Sequence, residues 1–490
     1  MRIPTLLAAT LLAFPAYAAN ITDISDAVDG EKRLEVDFAI GLSHSTRKGK
    51  ITREWNQKCD VEGYPHCPSG TPADHNGAVF DVTELRVEDV TDTMDLRLTF
   101  GLWHDLEVHL GAPYTLGESR SWVFASVADS NGISTQVTDA NSTFRGLQKL
   151  DVNGLAGNSQ PLISVPGQTY RSGFGDPYIG FSWAPFNHER EPRQPGDAFP
   201  DFRQTSTWAF GLDYTMPIAT VDDPAKWRFT TEDFTFVDPN DANRAKNHWN
   251  LISSSGSSGM GHGAHILDLW TAASKRMAFV DPFVKLHFTL PLAVTTAAAD
   301  ACTLLTSNPQ LANTQLNDQA KKNCAAPHGD GLGNWAGKTG YAPSFTGGLT
   351  LGTEIVALER EEYHLKIAFD LNLDTSYVSR GRNYSELSDA LGKLTYTDQY
   401  LALKGSAGIL ARFSRYIQLR VNIFGGFETP HFITGEPPGH DLAPFNGQVD
   451  FATPEQSPVY DFRIDPNGRR ARVEETTVLG IGGSLAASFY

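Results

Sequence analysis

A chain of 490 residues with a formal net charge of −17 has little to offer a phosphate backbone, so composition argues against a nucleic-acid partner. Hydrophobic residues make up 40% of the chain and the mean hydropathy is −0.29. No run reaches the roughly 18 apolar residues of a spanning helix, but a β-barrel is not excluded, because half of each of its strands faces a polar lumen.

The chain opens with Met1-Arg2, an apolar stretch from Leu6 to Phe14 and the A-x-A site Ala16-Tyr17-Ala18. This pattern predicts a signal peptide over residues 1–18, export to an oxidising space, and one domain over 19–490. Four cysteines suit that space, Cys59 with Cys67 and Cys302 with Cys324. Their C-x7-C and C-x21-C spacings match no usual zinc pattern, so two local disulfides are expected.

The first strand carries Leu34, Val36, Phe38, Ile40 and Leu42 on one parity; Thr46 to Gly77 then reads as a long polar segment. A second strand ends in Leu96, Leu98, Phe100 and Leu102, turns at Trp103-His104-Asp105, and leads into a third with Leu106, Val108, Leu110, Ala112 and Tyr114. After the polar stretch Val123 to Ser172, a fourth strand holds Pro177, Ile179, Phe181 and Trp183. The charged connection Pro185 to Gln204 precedes a fifth, with Trp208, Phe210, Leu212, Tyr214 and Met216. Strand six holds Leu267 and Leu269, turns at Ser274-Lys275-Arg276, and strand seven carries Val280, Val284, Leu286, Phe288 and Leu290.

Strands eight and nine form a hairpin from Phe345 to Tyr377, tightly turned at Glu359-Arg360-Glu361-Glu362. Its second arm sets Leu365, Ile367, Phe369, Leu371 and Leu373 against Lys366, Ala368, Asp370, Asn372 and Asp374. Alternate side chains face opposite ways, so one face is oily and the other charged. Each arm is about twice the usual strand length of a soluble domain. The excursion Arg380 to Gln399 contains Leu387, Ala390 and Leu391, a short amphipathic helix with Ser385 as its cap. Strand ten turns at Ser414-Arg415 into strand eleven, and after Thr429 to Arg470 the last strand runs from Val473 to Tyr490. Long and short connections alternate, with Pro185 to Gln204 as the exception. The reading is all-β: an antiparallel transmembrane β-barrel of about 12 strands, with long extracellular loops and short periplasmic turns.

The polar parity supplies candidate lumen residues: Glu35, Asp37, Asp95, Arg97, Glu107, Asp268, Asp281, Lys285, Lys366, Asp370, Asp374, Arg412 and Arg420. They read either as a selectivity-setting pore lining or as a salt-bridged filling. His109, His287 and His364 share that parity, but their spacing identifies no metal site. Asp238 with Asp241, and Asp441 with Asn446 and Asp450, lack the pattern of a calcium-binding EF-hand loop and read as turn formers. No cofactor motif is found. Neither His-x-Ser nor Gly-x-Ser-x-Gly occurs, which argues against an outer-membrane hydrolase.

The leader and the terminal Ala487-Ser488-Phe489-Tyr490 resemble those of bacterial outer-membrane barrels, whose terminal aromatic is read by the barrel-assembly machinery. Here the apolar parity of Leu479, Ile481 and Leu485 leads to Phe489 rather than Tyr490. Phe100 to Val108 with Leu110-Gly111-Ala112-Pro113-Tyr114, and Ser172 to Pro177 with Gly180, are similar to motifs of outer-membrane transporters of the phenol-degradation-associated type. Trp270 to Arg276 and Asn383 to Gly392 resemble large barrels of predatory and social Gram-negative bacteria. The resemblance implies an outer-membrane location among lipid and transport of a small solute. The alternative is a filled barrel whose loops bind at the cell surface.

Overall fold

The computed structural model describes residues 35–55, 80–103, 105–128, 134–136, 167–187, 205–221, 260–277, 279–294, 335, 340–360, 365–391, 394–414, 416–441, 446–449, 455, 457, 460 and 464–489. In chain order the strands are β1 (Val36–Trp55), β2 (Phe80–Trp103), β3 (Leu106–Phe124), β4 (Ser126–Ala128), β5 (Ser134–Gln136), β6 (Gly167–Phe174), β7 (Tyr178–Asn187), β8 (Thr205–Thr215), β9 (Ala264–Arg276) and β10 (Val280–Ala293). They continue as β11 (Thr346–Arg360), β12 (Leu365–Val378), β13 (Gly381–Asn383), β14 (Thr395–Thr397), β15 (Tyr400–Arg412), β16 (Ile417–Glu428), β17 (His431–Phe432), β18 (Ala471–Val473) and β19 (Thr476–Phe489). One helical turn, α1 (Ser388–Leu391), lies between β13 and β14.

Twelve of these form the wall: β1, β2, β3, β7 to β12, β15, β16 and β19. Each pairs antiparallel with its neighbour, and β1 pairs with both β19 and β2, so the sheet closes without a free edge. The tight connections β2–β3, β9–β10, β11–β12 and β15–β16 share one rim. At the first of them Asp105 adopts φ 56, a left-handed conformation that a short polar side chain tolerates.

Along β12 the alternation is sharp: Asp370 is 2% exposed and its neighbour Leu371 47%. Outward apolar side chains repeat around the wall, among them Phe38, Leu110, Phe181, Leu269, Leu286, Leu351, Leu403, Leu419 and Leu485. From Ile367 to Tyr377 this belt runs about 33 Å along the strand. At a tilt of about 40° it stands about 25 Å tall, the height of a lipid-facing band. Aromatic residues rim both edges. Trp183, Phe186, Trp208, Phe279, Phe413 and Phe489 ring the short-turn side; Tyr114 against Phe174, and Phe345 against Tyr377, lie on the other. The chain is a transmembrane β-barrel.

Two strands depart from the sequence reading. Instead of ending near Leu42, β1 continues to Trp55 and pairs there with the start of β2 at Phe80, and β3 runs on to Phe124. Beyond the belt their pattern inverts. The outward positions become His44, Thr46, Lys48 and Lys50, while the inward ones become Ser45, Arg47, Gly49 and Ile51. Outside lipid, the outer face meets water and the inner face meets protein, so the polarity of the two faces exchanges. An alternation that flips midway reads as a polar segment. The six-to-seven turn is also corrected: Ser274, Lys275 and Arg276 belong to β9, and the chain reverses where Met277 bridges Val280.

The inner face of the extended strands builds a small core above the belt. Ile51, Leu85, Val87 and Trp122 pack with Leu387 and Leu391 of the α1 excursion and with Ile433, Ile464, Ala471 and Val473. Burying each large apolar side chain there contributes about 1.5–3 kcal/mol. The expected short helix is present. Ser385 Oγ accepts the Leu387 N–H at 3.3 Å, and Ser388 Oγ accepts the Ser385 N–H at 2.8 Å, a reciprocal cap.

Candidate functional site: the barrel interior and its cap

The polar parity of the wall faces the interior. Asp37, Asp95, Arg97, Glu107, Asp281, Asp370, Asp374 and Arg420 are buried there. Glu35, Asp268, Lys285, Lys366 and Arg412 are half-buried, and Arg412 Nη2 donates to Gln418 Oε1 at 3.3 Å. Asp213, Glu354 and Lys404 belong to the same lining and were missing from the sequence-based set. Each falls on the inward parity of its strand, which is the signal that could have identified it. Glu354 lies directly opposite both Asp281 and Asp370, placing three carboxylates in a row across β10, β11 and β12.

Several ion pairs at belt depth join neighbouring or next-neighbour strands of the wall. Arg97 Nη2 donates to Glu107 Oε1 at 3.2 Å between β2 and β3, and Lys366 Nζ lies 2.6 Å from Glu354 Oε1 between β12 and β11. Three more pairs join strands two apart. His109 Nε2 is 2.5 Å from Asp213 Oδ1 across β7, and His287 Nδ1 is 3.7 Å from Asp374 Oδ2 across β11. Arg420 Nη2 bonds Asp370 Oδ2 across β15, whose Gly408 stands opposite Asp370.

Glycine on the intervening strand makes this reach possible. A Cβ at Gly180 would overlap Asp213 Oδ1 and His109 Nε2, and one at Gly348 would overlap the His287 ring and Ser376 Oγ. Rings use the same device. Tyr178 lies on Gly111, Trp270 on Gly211 and Phe424 on Gly480, each where a Cβ would collide with it. Lys285 Nζ sits 4.9 Å from the Trp270 centroid and Lys404 Nζ 4.3 Å from that of Phe424, cation–π contacts that again keep long side chains near the wall. Hydroxyls satisfy carboxylates in the same plane: Tyr178 to Asp95 at 3.2 Å, Thr289 to Asp268 at 2.5 Å, and Thr350 and Ser376 to Asp374 at 2.6 Å each.

The mouth is different, because the α1 excursion is anchored inside it. Arg47 holds Glu386 and Glu428, each at 2.5 Å. Arg120 pairs with Asp89 at 2.8 Å and donates to the Ser385 carbonyl at 3.1 Å; Trp122 Nε1 donates to the Glu386 carbonyl at 2.8 Å. Asp389 accepts from Thr169 at 3.0 Å and bonds Arg171 and Tyr384. Burial alone would raise the Glu386 carboxyl, but Arg47 and then His431 outweigh it and hold the group at about 2. A second clamp lies further out. Arg470 bonds Glu54 at 2.8 and 2.9 Å and Gly468 N–H adds a third contact at 2.9 Å. Burial opposes ionisation of Glu54, yet these bonds prevail and lower its pKa. Asp441 accepts the backbone N–H groups of Asn446 and Gly447 at 3.2 and 2.7 Å, acting as the expected turn former. The expected leader over 1–18, and Cys59, Cys67, Cys302, Cys324, Asp238, Asp241, His364 and Asp450, lie outside the described residues.

No family model matches the chain, and no curated protein matches it. Among solved structures, an outer-membrane channel from Pseudomonas putida F1 is 8% identical with a TM-score of 0.35, the alignment covering 92% of this chain and 95% of that one. A FadL homologue from Pseudomonas aeruginosa is 9% identical with a TM-score of 0.27, over 93% of this chain and 90% of that one. The outer-membrane protease OmpT from Escherichia coli is 8% identical with a TM-score of 0.25, over 94% of this chain and 98% of that one. Similarity this distant brings no activity or substrate to this chain.

Proposed function

We propose that the protein is an outer-membrane channel for small polar or charged solutes, closed at its extracellular mouth by a cap that must move. The observation that carries this reading is the placement of the charges. His109–Asp213, His287–Asp374 and Arg420–Asp370 lie over glycine-bearing strands, along the wall, which supports a charged lining that polar solutes could pass once the cap moves. The lining has more carboxylates than basic groups, which favours cations. Lipid would meet the belt, and the assembly machinery would read the final strand through Phe489. The tight turns would then be periplasmic, and Cys59–Cys67 and Cys302–Cys324 would close extracellular loops.

Single-channel recording in planar bilayers tests this. The intact protein should give small or infrequent current steps, and replacing residues 381–397 by a short Gly/Ser linker should give larger, sustained ones. Silence from both proteins, with the variant shown to be folded, would identify a filled barrel and return the function to the loops.

A further inference from the structure

We propose that His287 is a specificity-determining residue of the channel, the proton on its ring setting how strongly the lumen prefers cations. The inference rests on the channel reading above and concerns the charged lining. His287 shares its carboxylate with two lysines. Its Nδ1 lies 3.7 Å from Asp374 of β12, which also attracts Lys285 of β10 and Lys404 of β15. Lys285 stands two residues before His287 on the same face, and Lys404 directly opposite Asp374. From β9 the ring meets Trp270, opposite it in register, with Asp268 two residues along. On β11 it lies over Gly348, and Thr350 beside that glycine adds no titratable group. From β12 comes Ser376 as well, 3.4 Å from Nε2. Asp213 of β8 acts at one remove, through Lys285.

These contacts hold the ring loosely. Both oxygens of Asp374 already accept hydroxyls, from Thr350 and Ser376 at 2.6 Å each. The His287 side chain is 13% exposed on the inner face, where water can deliver a proton. His109 is the contrast. It is 1% exposed, with Glu107 at 3.5 Å from one ring nitrogen and Asp213 at 2.5 Å from the other. Histidine is the side chain whose ordinary charge change falls between about pH 5 and 8. Around His287 the charges in mutual reach are five carboxylates, Asp95, Glu107, Asp213, Asp268 and Asp374, against Arg97, Lys285, Lys404 and the paired His109. A neutral His287 leaves this group with one surplus negative charge. A protonated His287 cancels it and sets three cationic side chains around Asp374. The sequence-based lining joined by Asp213, Glu354, Lys404 and His109 holds ten carboxylates and seven cations among the described residues. The proton therefore removes one of three surplus charges, at a point where a passing cation meets it directly.

Reversal potentials in a potassium chloride gradient, across planar bilayers holding many copies of the full chain, provide the test. Wild type should lose cation preference as the pH falls from about 8 to about 5. The part of that fall which disappears in His287→Gln should be about one third of the preference, taken as the logarithm of the permeability ratio. His287→Lys should show the reduced preference already at the alkaline end. A ring that only packs would not send the glutamine and lysine variants in opposite directions. Equal falls in wild type and His287→Gln would assign the titration to the carboxylates and overturn the proposal. The same preference in the glutamine and lysine variants at alkaline pH would overturn it too. Histidine-selective NMR of the wild type follows the proton without any variant, and a His287 ring that keeps one protonation state across this range would refute the idea. Silence of the uncapped variant would overturn the channel reading and this one together, whereas conduction with equal falls overturns this one alone.

Discussion

Gly180→Ala is the sharpest test of how the interior is built. The added Cβ would overlap both ends of the His109–Asp213 pair, whose members are 1% and 2% exposed. Neither group can retreat to water, so the methyl must part them. Separating a buried ion pair costs about 3–5 kcal/mol. Alanine in a strand returns about 0.5–1 kcal/mol relative to glycine. The net expectation is a loss of about 2–4 kcal/mol. Gly41→Ala is the matched comparison: it also faces inward, and its Cβ would meet Asp95 Cβ at an ordinary 3.8 Å. Urea titration of vesicle-folded protein, followed by tryptophan emission, measures both. Equal stability of the two variants would refute the glycine-bridge argument. A double-mutant cycle with His109→Ala adds a second check, because Gly180→Ala should cost much less once the pair is already gone.

Leu371→Arg should destabilise by about 2–4 kcal/mol near the midplane, and Asn372→Arg much less, in the same titration; equal costs would invert the assignment of faces. For Glu386 the folded pKa of about 2 lies below the unfolded 4.5, so its contribution is complete above about pH 4.5 and lost as pH falls towards 2. That difference corresponds to about 3 kcal/mol, so acid titration of Glu386→Gln should lack this part of the wild-type pH dependence. Reversal potentials in a salt gradient should show weak cation preference, reduced by Asp370→Asn, which removes one of the lining carboxylates. An anion-selective wild type would reject the selectivity argument.

Strand parity carried most of the architecture. The hairpin of β11 and β12 shows why: Leu371 and Asp370 obey a two-residue period because one face meets lipid and the other the lumen throughout. Where the surroundings change along a strand the rule fails, as on β1 beyond His44. Asp213, Glu354 and Lys404 were legible in principle, since each is a charge on the inward parity of its strand. The partners were not. That His109 meets Asp213, 104 residues away, depends on Gly180 coming between them in the wall, a register no local pattern encodes. The cap was visible only as a short helix near Ser385; its binding to Arg47, Arg120 and Arg171 is a property of the closed barrel.

That dependence sets an order on folding. The core above the belt draws Ile51, Leu85 and Trp122 from the start of the chain and Ile433, Ile464 and Val473 from its end. Arg53 donates to the carbonyl of Arg469 across 416 residues, and Arg120 to that of Ser385 across 265. Contacts so distant in sequence form slowly, because the loop between them must close first. Here closing the loop means closing the barrel, when β19 zips onto β1. Until then the extended ends of β1, β2 and β3 have no partner for their apolar inner face. The cap is therefore the last part to form and the first to come undone, and amide exchange on β13, α1 and β14 should outrun that of the wall.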